Sequence, residues 1–250
     1  MKNRIITIVS IGMFLAGALM LMYPTIADLW NGRIQEGMIR EYEEYAADME
    51  DYSAEWDRVR DYNRAILEGQ QESGLALNLS IAEDHPASNA ATASNIATVN
   101  NSYPGILNIG GAGVMGVIEV PSVGIRLAVR HGTDENVLSS GAGHIEGTSL
   151  PFYENGTHTA ISGHSALPSA RLFTDLSKLK IGDEFSLTVL DKKIEYTIDK
   201  ISVVLPEETD LLKADTDANY CTLVTCTPYG INTHRLLVRG KLKEIYEKIY

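Results

Sequence analysis

The sequence predicts a mainly β domain, a closed or nearly closed barrel, that follows an N-terminal transmembrane helix and a helical arm. Three observations support this prediction: a long uncharged stretch after Arg4, a helix-periodic stretch beyond it, and many short segments rich in Val, Ile, Thr and Leu in the second half. The chain therefore divides into a cytoplasmic tip with a membrane anchor, a helical arm, a linker loop, a β-barrel and a charged tail. These parts are residues 1–26, 27–79, 80–111, 112–242 and 243–250.

The N-terminal segment has the length and composition of a membrane-spanning helix. Ile5 to Met22 is uncharged and close to the length that crosses a bilayer. Lys2 and Arg4 precede it, so the positive-inside tendency places the N-terminus in the cytoplasm and the rest of the chain outside. A cleavable signal peptide is the alternative, but the apolar stretch is long for one and its flank is a poor cleavage site. We expect an uncleaved, single-pass anchor in the cell membrane.

The next segment, residues 27–70, has the pattern of an amphipathic helix. Apolar side chains recur at alternating three- and four-residue steps, and two further positions continue the series. The positions are Tyr42, Tyr45, Met49, Tyr52, Trp56, Val59, Asn63 and Ile66. We expect this stripe to pack on the barrel. A short coiled coil that dimerises the protein at the membrane is the alternative.

The formal charge of −12 is concentrated in this arm. Between Asp28 and Asp84 there are 15 acidic and 5 basic residues, so the domain that follows is close to neutral. The acidity argues against nucleic acid and against an anionic lipid surface as partners. We expect the acidic side chains of the arm to form a solvated helix face.

A polar stretch rich in Ala, Ser, Asn and Thr separates the arm from the strands. It runs from Ser80 to about Asn101 and has no sustained apolar periodicity, which is typical of a loop or linker. A loop of this length inside a compact protein is usually functional or disordered. The segment is therefore either a plain tether or a functional loop.

Beyond Gly116 the chain alternates between short β-rich segments and turn residues. The predicted strands are Gly116–Val120, Ile125–Arg130, Thr159–Ser162, Glu184–Leu190, Lys193–Val203, Tyr220–Thr225 and Arg235–Lys241, with Asp191-Lys192 as a tight hairpin turn. Short helices are expected near Glu135–Ser139 and Ala170–Leu176, the second capped by Ser169. Many short strands with few helices indicate a closed or nearly closed barrel.

Three strand ends present the groups that acyl transfer needs. Cys226 ends one apolar strand and Arg235 begins the next, and turn residues lie between them, so a hairpin brings the two side by side. His164 ends a third apolar segment. A thiol is a nucleophile as its thiolate, which a nearby cation favours, and imidazole can act as acid and base. A half-buried cysteine beside a structural arginine is the alternative that these residues alone leave open.

The second cysteine lies five residues before the first on the same predicted strand. Cys221 and Cys226 therefore point to opposite faces, and a disulfide between them would require the strand to break. We expect both to be reduced, with Cys221 a small buried apolar residue and Cys226 the reactive thiol.

At these residues the chain resembles the sortases, and most closely their class C, pilus-assembling branch. The resemblance covers roughly residues 112–242. The matching segments are Thr222 to Gly240, Ser162-Gly-His-Ser-Ala-Leu-Pro168, Gly116-Val-Ile-Glu-Val-Pro121, His131-Gly-Thr, Gly143 to Pro151 and Leu172 to Asp183. It implies an eight-stranded sortase barrel in which Cys226 is the nucleophile, His164 the general acid and base, and Arg235 the residue that stabilises the intermediate.

The resemblance also implies a substrate and a product. The substrate is a sorting signal of the Leu-Pro-X-Thr-Gly type, cleaved after Thr through a thioacyl-enzyme, and the acceptor in class C is a lysine amine of a neighbouring pilin. An acceptor amine from peptidoglycan, which would anchor surface proteins to the wall, is the first alternative. A tethered domain that holds sorting signals without turning them over is the second.

Further site residues are expected around this set. The resemblance places a lid over residues 80–100. Asp84 is the candidate for its acid, His85 stands where the family has an aromatic ring, and Pro86 lies beside them. Ser165, Thr225 and Tyr229 are candidates for lining the substrate groove, although strand propensity or packing in the turn explains the last two equally well.

We expect no cofactor and no metal, because His, Cys and carboxylates do not occur at metal-ligand spacing. The remaining histidines His131, His144, His158 and His234 are expected to be structural. The acidic residues Glu207, Glu208 and Asp210 are expected to be solvated, with a calcium site as the alternative.

Overall fold

Eight strands close into one barrel, in the order β1-β2-β3-β4-β7-β8-β6-β5, and the predicted mainly β fold is confirmed. The computed structural model of the chain describes residues 2–73, 102–111 and 113–248. The strands are β1 (Val114–Val120), β2 (Ile125–His131), β3 (Ala142–His144), β4 (Thr157–Gly163), β5 (Glu184–Val189), β6 (Lys192–Val204), β7 (Asn219–Thr227) and β8 (His234–Glu247). Neighbours pair antiparallel except β2 with β3 and β4 with β7, which pair parallel.

Strand β3 was not predicted, and β8 is longer than predicted. β3 has only three residues and gains its ladder from β2 and β4, so it carries no alternating pattern of its own. The predicted strand end at Lys241 is wrong: β8 continues through residues 243–247, which the sequence assigned to a charged tail. There Lys243 pairs with Glu184 at 2.8 Å, and Glu247 lies opposite Lys192 on β6. Opposite charges across neighbouring strands stabilise a solvated ribbon.

Two long helices precede the barrel. Helix α1 is Lys2–Asp48 and helix α2 is Ser53–Ser73. The predicted arm was continuous across this point, but the chain turns between Asp48 and Ser53. Both carboxylate oxygens of Asp51 accept hydrogen bonds from Ser53, from its backbone N–H and its hydroxyl, each at 2.9 Å. Such local bonds compete with helix continuation and favour a new helix start.

The apolar stripe of the arm packs on the barrel, as predicted. From α1, Ile39 and Tyr42 are buried against Val114, Val117 and Ala128. The Tyr42 hydroxyl donates to the carbonyl oxygen of Met115 at 3.2 Å and accepts from the N–H of Leu190 at 2.8 Å. From α2, four residues join the main core: Trp56, Val59, Tyr62 and Ile66. Tyr45 departs from the pattern, because its ring lies half-exposed beside Gly110.

Besides the contact with α1, the barrel strands carry an interior apolar cluster and an outer apolar cluster on their opposite faces. The interior cluster contains large buried rings such as Phe185 and Tyr196, which stack with centroids 5.2 Å apart. The outer cluster lies between β4, β7 and β8 and is covered by the short helix α3 (Glu135–Leu138) and by a 3₁₀ turn at Asp210–Leu212. The short helix near Glu135 was predicted. The second one was not placed correctly, since a 3₁₀ turn at Thr174–Lys178 replaces a helix capped by Ser169.

Candidate active site

Cys226 and Arg235 lie directly opposite each other on adjacent strands. The β7–β8 register pairs Cys226 with Arg235, one residue before the last pair of the ladder. Both residues are almost fully buried: only 6% of the surface of Cys226 and 7% of that of Arg235 are exposed. The predicted hairpin is therefore present, and it places the two side chains side by side.

His164 lies at the end of β4, on the other side of β7. The parallel β4–β7 register ends with Ser162 beside Val224, so two further residues bring His164 level with Cys226. Two side-chain hydrogen bonds continue the alignment beyond the ladder. The Thr225 hydroxyl donates to the carbonyl of Gly163 at 2.7 Å, and the Ser165 hydroxyl donates to the carbonyl of Cys226 at 2.8 Å. These bonds fix the loop that follows His164 against β7.

The period of two along each strand places the three residues on one face. Ala160, Val224 and Leu237 all belong to the outer cluster. His164, Cys226 and Arg235 are each separated from one of these by an even number of residues, so they share the outer face. The sequence predicted the three strand ends, and the structure brings all three together there.

The strand end at His164 is shaped by a close contact with Phe173. A Cβ atom on Gly163 would meet the Phe173 ring at 2.8 Å, so the ring packs where only glycine leaves room. The Phe173 N–H donates to the carbonyl of His164 at 3.0 Å. Thr174 accepts a bond from the N–H of Ala166 at 3.1 Å. The loop after His164 thus folds back onto the strand and holds the imidazole at its end.

Backbone carbonyls of the β7–β8 turn orient the guanidinium of Arg235. Its Nη1 donates to the carbonyl of Asn232 at 3.1 Å and to that of His234 at 3.2 Å. Asn232 has a φ of 61°, a left-handed conformation that asparagine tolerates well. The turn residues therefore do more than reverse the chain, because their carbonyls fix the arginine beside Cys226.

Glu135 is a site residue that the sequence analysis missed. Its carboxylate Oε2 lies 3.2 Å from Nε2 of His164. The glutamate is 59% exposed, whereas the histidine side chain is 3% exposed. The acid lies in the first turn of α3, 29 residues before the histidine. Only the tertiary fold joins the two, and an acid opening a short helix is too common a pattern to have singled it out.

The predicted groove residues have different environments. Thr225 is two residues from Leu223 of the interior cluster, its side chain is buried, and its hydroxyl bonds to Gly163. The prediction that Thr225 lines the groove is therefore wrong, since it ties β7 to β4. Ser165 is half-buried and bonded to Cys226. Tyr229 is exposed in the turn, where its groove role stays a prediction.

Other predicted groups lie apart from the site. Cys221 belongs to the interior cluster, and Cys221 and Cys226 are both thiols that form no disulfide. The candidate calcium ligands are engaged: Asp210 pairs with Lys213 at 2.6 Å, and Glu208 accepts from the N–H of Leu205 at 2.7 Å. Within the three described stretches, no group of His, Cys, Asp and Glu could hold a metal ion. The lid candidates Asp84, His85 and Pro86 lie outside the described residues.

Two buried histidines differ chemically from His164. His144 donates from Nε2 to the carbonyl of Ser149 at 2.9 Å and contacts the Tyr103 hydroxyl through Nδ1 at 2.9 Å. His158 contacts the carbonyl of Lys213 at 2.9 Å. Burial lowers the pKa of each imidazole to about 4. Both are neutral structural groups of the barrel.

The arrangement supplies the parts of covalent acyl transfer. A thiol, an imidazole and a guanidinium share one face, and a carboxylate contacts the imidazole from the solvent side. A thiol can attack a carbonyl carbon, an imidazole can carry a proton, and fixed N–H donors can stabilise an oxyanion. The three central groups are shielded from water, which strengthens electrostatic interactions between them.

Comparison with known proteins identifies relatives that cover this region. A family model described as a sortase domain matches residues 118–243. Sortase A of Bacillus anthracis is 31% identical over 129 residues, which are 52% of this chain and 60% of that protein. The chain spans between 55% and 65% of the length of the four curated relatives that it matches.

Solved structures match over more of the chain. Sortase C1 from Streptococcus agalactiae is 37% identical with a TM-score of 0.69, covering 83% of this chain and 98% of that one. A lid mutant of sortase A from Corynebacterium diphtheriae is 34% identical with a TM-score of 0.64, covering 77% of this chain and 93% of that one. Both matches extend beyond the region covered by the family model.

Proposed function

This chain belongs to the sortase family, and from that premise we propose that it is a membrane-anchored cysteine transpeptidase that joins sorting signals to an amine. The observation that carries the proposal is the shared outer face of Cys226, His164 and Arg235, with Cys226 and Arg235 directly opposite in the β7–β8 ladder. We assign Cys226 as nucleophile, His164 as acid and base, and Arg235 as the donor to the oxyanion.

The first half of the proposed reaction forms a thioester. Sγ of Cys226 gives its proton to His164 and attacks the carbonyl carbon of the threonine in the sorting signal as a thiolate. The carbonyl carbon becomes tetrahedral, and its oxygen becomes an oxyanion. Arg235 donates to that oxygen in the proposed mechanism, and the two turn carbonyls that hold its guanidinium support this role. A preorganised donor of this kind contributes about 3–4 kcal/mol to a transition state. The C–N bond to the next residue then breaks, and the departing amine takes a proton from His164.

The second half reverses these steps with a new amine. The incoming amine attacks the thioester carbonyl, loses a proton to His164, and releases Cys226 as a thiolate beside the protonated imidazole. Since Glu135 carboxylate faces Nε2, that nitrogen carries a proton, and Nδ1 is the nitrogen left to accept or deliver one. We therefore assign Glu135 as a positioning residue for His164.

We further propose that the acceptor is a lysine amine of a pilin subunit, so that the product is an isopeptide-linked polymer. The likeness to sortase C1 from Streptococcus agalactiae over nearly the whole of that structure supports this assignment. A peptidoglycan amine as acceptor is the second candidate, because relatives named sortase A match the chain at similar identity.

Competition between the two acceptors tests this choice. The full-length chain in detergent is given a Leu-Pro-X-Thr-Gly peptide and equal amounts of a pilin fragment with its lysine and a wall stem peptide. Products are identified by mass spectrometry. We expect the threonine carbonyl on the pilin lysine, and no such product when that lysine is replaced by arginine. Exclusive transfer to the stem peptide would contradict pilus assembly and leave acyl transfer intact.

The membrane anchor and the lid are also part of the proposal. Helix α1 is long and apolar enough to cross a bilayer, which supports a single-pass anchor with the barrel outside the cell. A lid over residues 80–100 stays a prediction, and the related protein solved as a lid mutant is consistent with it. Deletion of residues 80–100 should raise the rate of Cys226 alkylation, whereas an unchanged rate would indicate a plain tether.

A further inference from the structure

The distance between the membrane and the barrel can be read from helix α1. No charged residue occurs between Arg4 and Asp28, a stretch of 23 residues. At 1.5 Å per residue this stretch is about 34 Å long, slightly more than the roughly 30 Å hydrocarbon core of a bilayer. If α1 spans the membrane as proposed above, Asp28 therefore lies in the outer headgroup layer.

The barrel contacts α1 at that same level. The carboxylate of Asp28 accepts a hydrogen bond from the backbone N–H of Arg171 at 2.9 Å. Two turns further along, Gln35 accepts from the N–H of Ala128 at 2.8 Å and donates to the carbonyl of Ser140. The edge of the barrel thus begins at the membrane surface, with no spacer between the anchor and the domain.

The part of the barrel at this level borders the active site. Arg171 belongs to the loop that follows His164, and Ser139 follows α3, which carries Glu135. These two elements form a groove with α1 of about 330 Å³, lined by Tyr23, Ile26, Ala27, Trp30, Asn31, Ser139 and Ser169. The two elements that contact His164, namely α3 and the loop that follows the histidine, therefore lie next to the membrane anchor.

An apolar stripe of α1 is exposed along this groove. Tyr23, Ile26, Trp30 and Ile34 recur at three- and four-residue steps, and all four are exposed, Trp30 to 66%. They lie on a different side of the helix from Asp28 and Gln35, which face the barrel. Tyrosine and tryptophan combine an apolar ring with a polar group and are enriched where a membrane meets water. The stripe continues the membrane-spanning segment directly.

We propose that this stripe and the active-site rim, defined as α3 and the loop 165–173, dock on the outer phospholipid headgroup layer. The proposal rests on the anchored transpeptidase proposed above and specifies how its substrate arrives. With the rim in the headgroup layer, the site accepts a sorting signal from a polypeptide that is still tethered to the same membrane. The stripe is aromatic and apolar, so the acidity of the arm does not oppose its contact with zwitterionic lipid.

The two tryptophans of the chain make the contact measurable. Trp30 is exposed on the stripe, whereas Trp56 is buried, at 5% exposure, against the barrel. The full-length chain is reconstituted in phosphatidylcholine vesicles containing lipids brominated near the headgroup end of the acyl chain. We expect the bromolipid to quench part of the emission, and Trp30→Phe to remove the quenched part. Quenching of Trp30 by aqueous iodide but not by bromolipid would overturn the proposal.

The alternative to lipid is that a second copy of the chain packs against the stripe. In that case Trp30 would be shielded from both quenchers, and dilution of the protein in the bilayer would restore its accessibility to iodide. Such a result would also overturn docking on lipid.

A spacer tests the consequence for the substrate. Seven helix-forming residues inserted between Ala27 and Asp28 raise the barrel by about 10 Å while leaving the Asp28–Arg171 contact in place. We expect the rate with a membrane-tethered sorting peptide to fall on the order of ten-fold, and the rate with the same peptide in solution to be unchanged. The matched control has the same insertion after Asn3, on the cytoplasmic side, and should keep both rates.

The outcomes separate this proposal from the proposed function. A rate that falls equally for both peptides, or for neither, contradicts docking of the rim. Absence of any thioacyl product from the unmodified chain with the soluble peptide contradicts the transpeptidase instead, and the tryptophan quenching is interpretable in either case.

Discussion

The interior and the outer face of the barrel place the same side chains in opposite chemical situations. Cys221 and Cys226 lie on one strand, five residues apart. Cys221 is fully enclosed by the interior cluster, and burial raises the pKa of its thiol. Cys226 lies on the outer face, opposite Arg235 in the ladder. An uncompensated apolar environment disfavours a thiolate, whereas a neighbouring cation favours one.

The histidines repeat this contrast. His144 and His158 are enclosed and bonded to backbone carbonyls or hydroxyls. Burial lowers the pKa of each imidazole to about 4, so both are neutral at neutral pH. His164 is also almost fully buried, yet its partner is the carboxylate of Glu135. Burial alone therefore does not distinguish a structural from a functional side chain here. The charge on the facing partner does.

The largest expected difference is between two single substitutions, in which each cysteine is replaced by alanine in turn. Cys226→Ala should lower acyl transfer on the order of 10⁴-fold or more, because the variant lacks the thiol that we propose as the nucleophile. Cys221→Ala should keep the activity and reduce the free energy of unfolding by about 1 kcal/mol through the small cavity it leaves. Peptide cleavage and urea unfolding measure the two effects. Equal loss of activity in both variants would contradict the division between the faces.

Two arginines on β8 test whether activity depends on the guanidinium beside Cys226 or on positive charge in general. Arg235→Lys should lower kcat/KM by about 10²- to 10³-fold, since lysine does not keep the planar donor geometry that the turn carbonyls fix. Arg239→Lys is the matched control. Arg239 lies four residues further along, pairs with Asp199 at 2.6 Å and stacks over Tyr220, so its loss should affect stability alone. A similar fall in kcat/KM for both variants would indicate a general effect of charge.

The buried histidines predict a dependence of stability on pH. In the folded chain the pKa of each imidazole lies below the ordinary 6.5. Between these two pKa values the unfolded chain therefore binds more protons than the folded chain does. Each contributes stability that is present above about pH 6.5 and is lost as the pH falls towards 4, roughly 3 kcal/mol per residue. Urea unfolding of Trp30→Phe, followed by Trp56 emission, should show this loss. In His158→Asn the loss should shrink by about half, and an unchanged slope would contradict the assignment.

The smallest effect is expected at Glu135. Glu135→Gln removes a charge from a solvent-exposed contact, so a decrease of about three- to ten-fold in kcat/KM is expected, together with a changed pH profile. Glu135→Asp should restore part of the activity. Asp134→Asn is the control, because Asp134 precedes it but forms no side-chain cap bond with the helix. A fall in activity without any change in the pH profile would assign Glu135 a merely structural role.

The sequence predicted the fold because strand and turn signals are local patterns: β-rich segments separated by turn residues predicted seven strands. Three strand ends offered Cys226, His164 and Arg235 as candidates, and the resemblance to the sortases supplied their roles, which stay a proposal. The parts that were missed depend on long-range partners. β3 exists through its neighbours, Glu135 meets His164 only after folding, and the end of β8 is stabilised by charges on β5 and β6.

Two errors came from applying a local rule across a tertiary boundary. The helical period of the arm continued across residues 49–52, but Asp51 and Ser53 form bonds that start a second helix. Thr225 precedes Cys226, and its position predicted a place in the groove, but the alternation along β7 turns its side chain inward. The same alternation, applied from Cys226, would have identified the inward direction of Thr225.

The most direct test of the account is the site of acylation. The full-length chain in detergent is incubated with a Leu-Pro-X-Thr-Gly peptide, quenched in acid, and analysed by intact and peptide-level mass spectrometry. We predict one acyl adduct, carried by Cys226, absent in Cys226→Ala and retained in Cys221→Ala. The experiment should be repeated with residues 80–100 deleted, so that occlusion by a lid is controlled. No adduct in either form, while Cys226 still reacts with an alkylating reagent, would contradict the enzyme and favour a domain that only binds sorting signals.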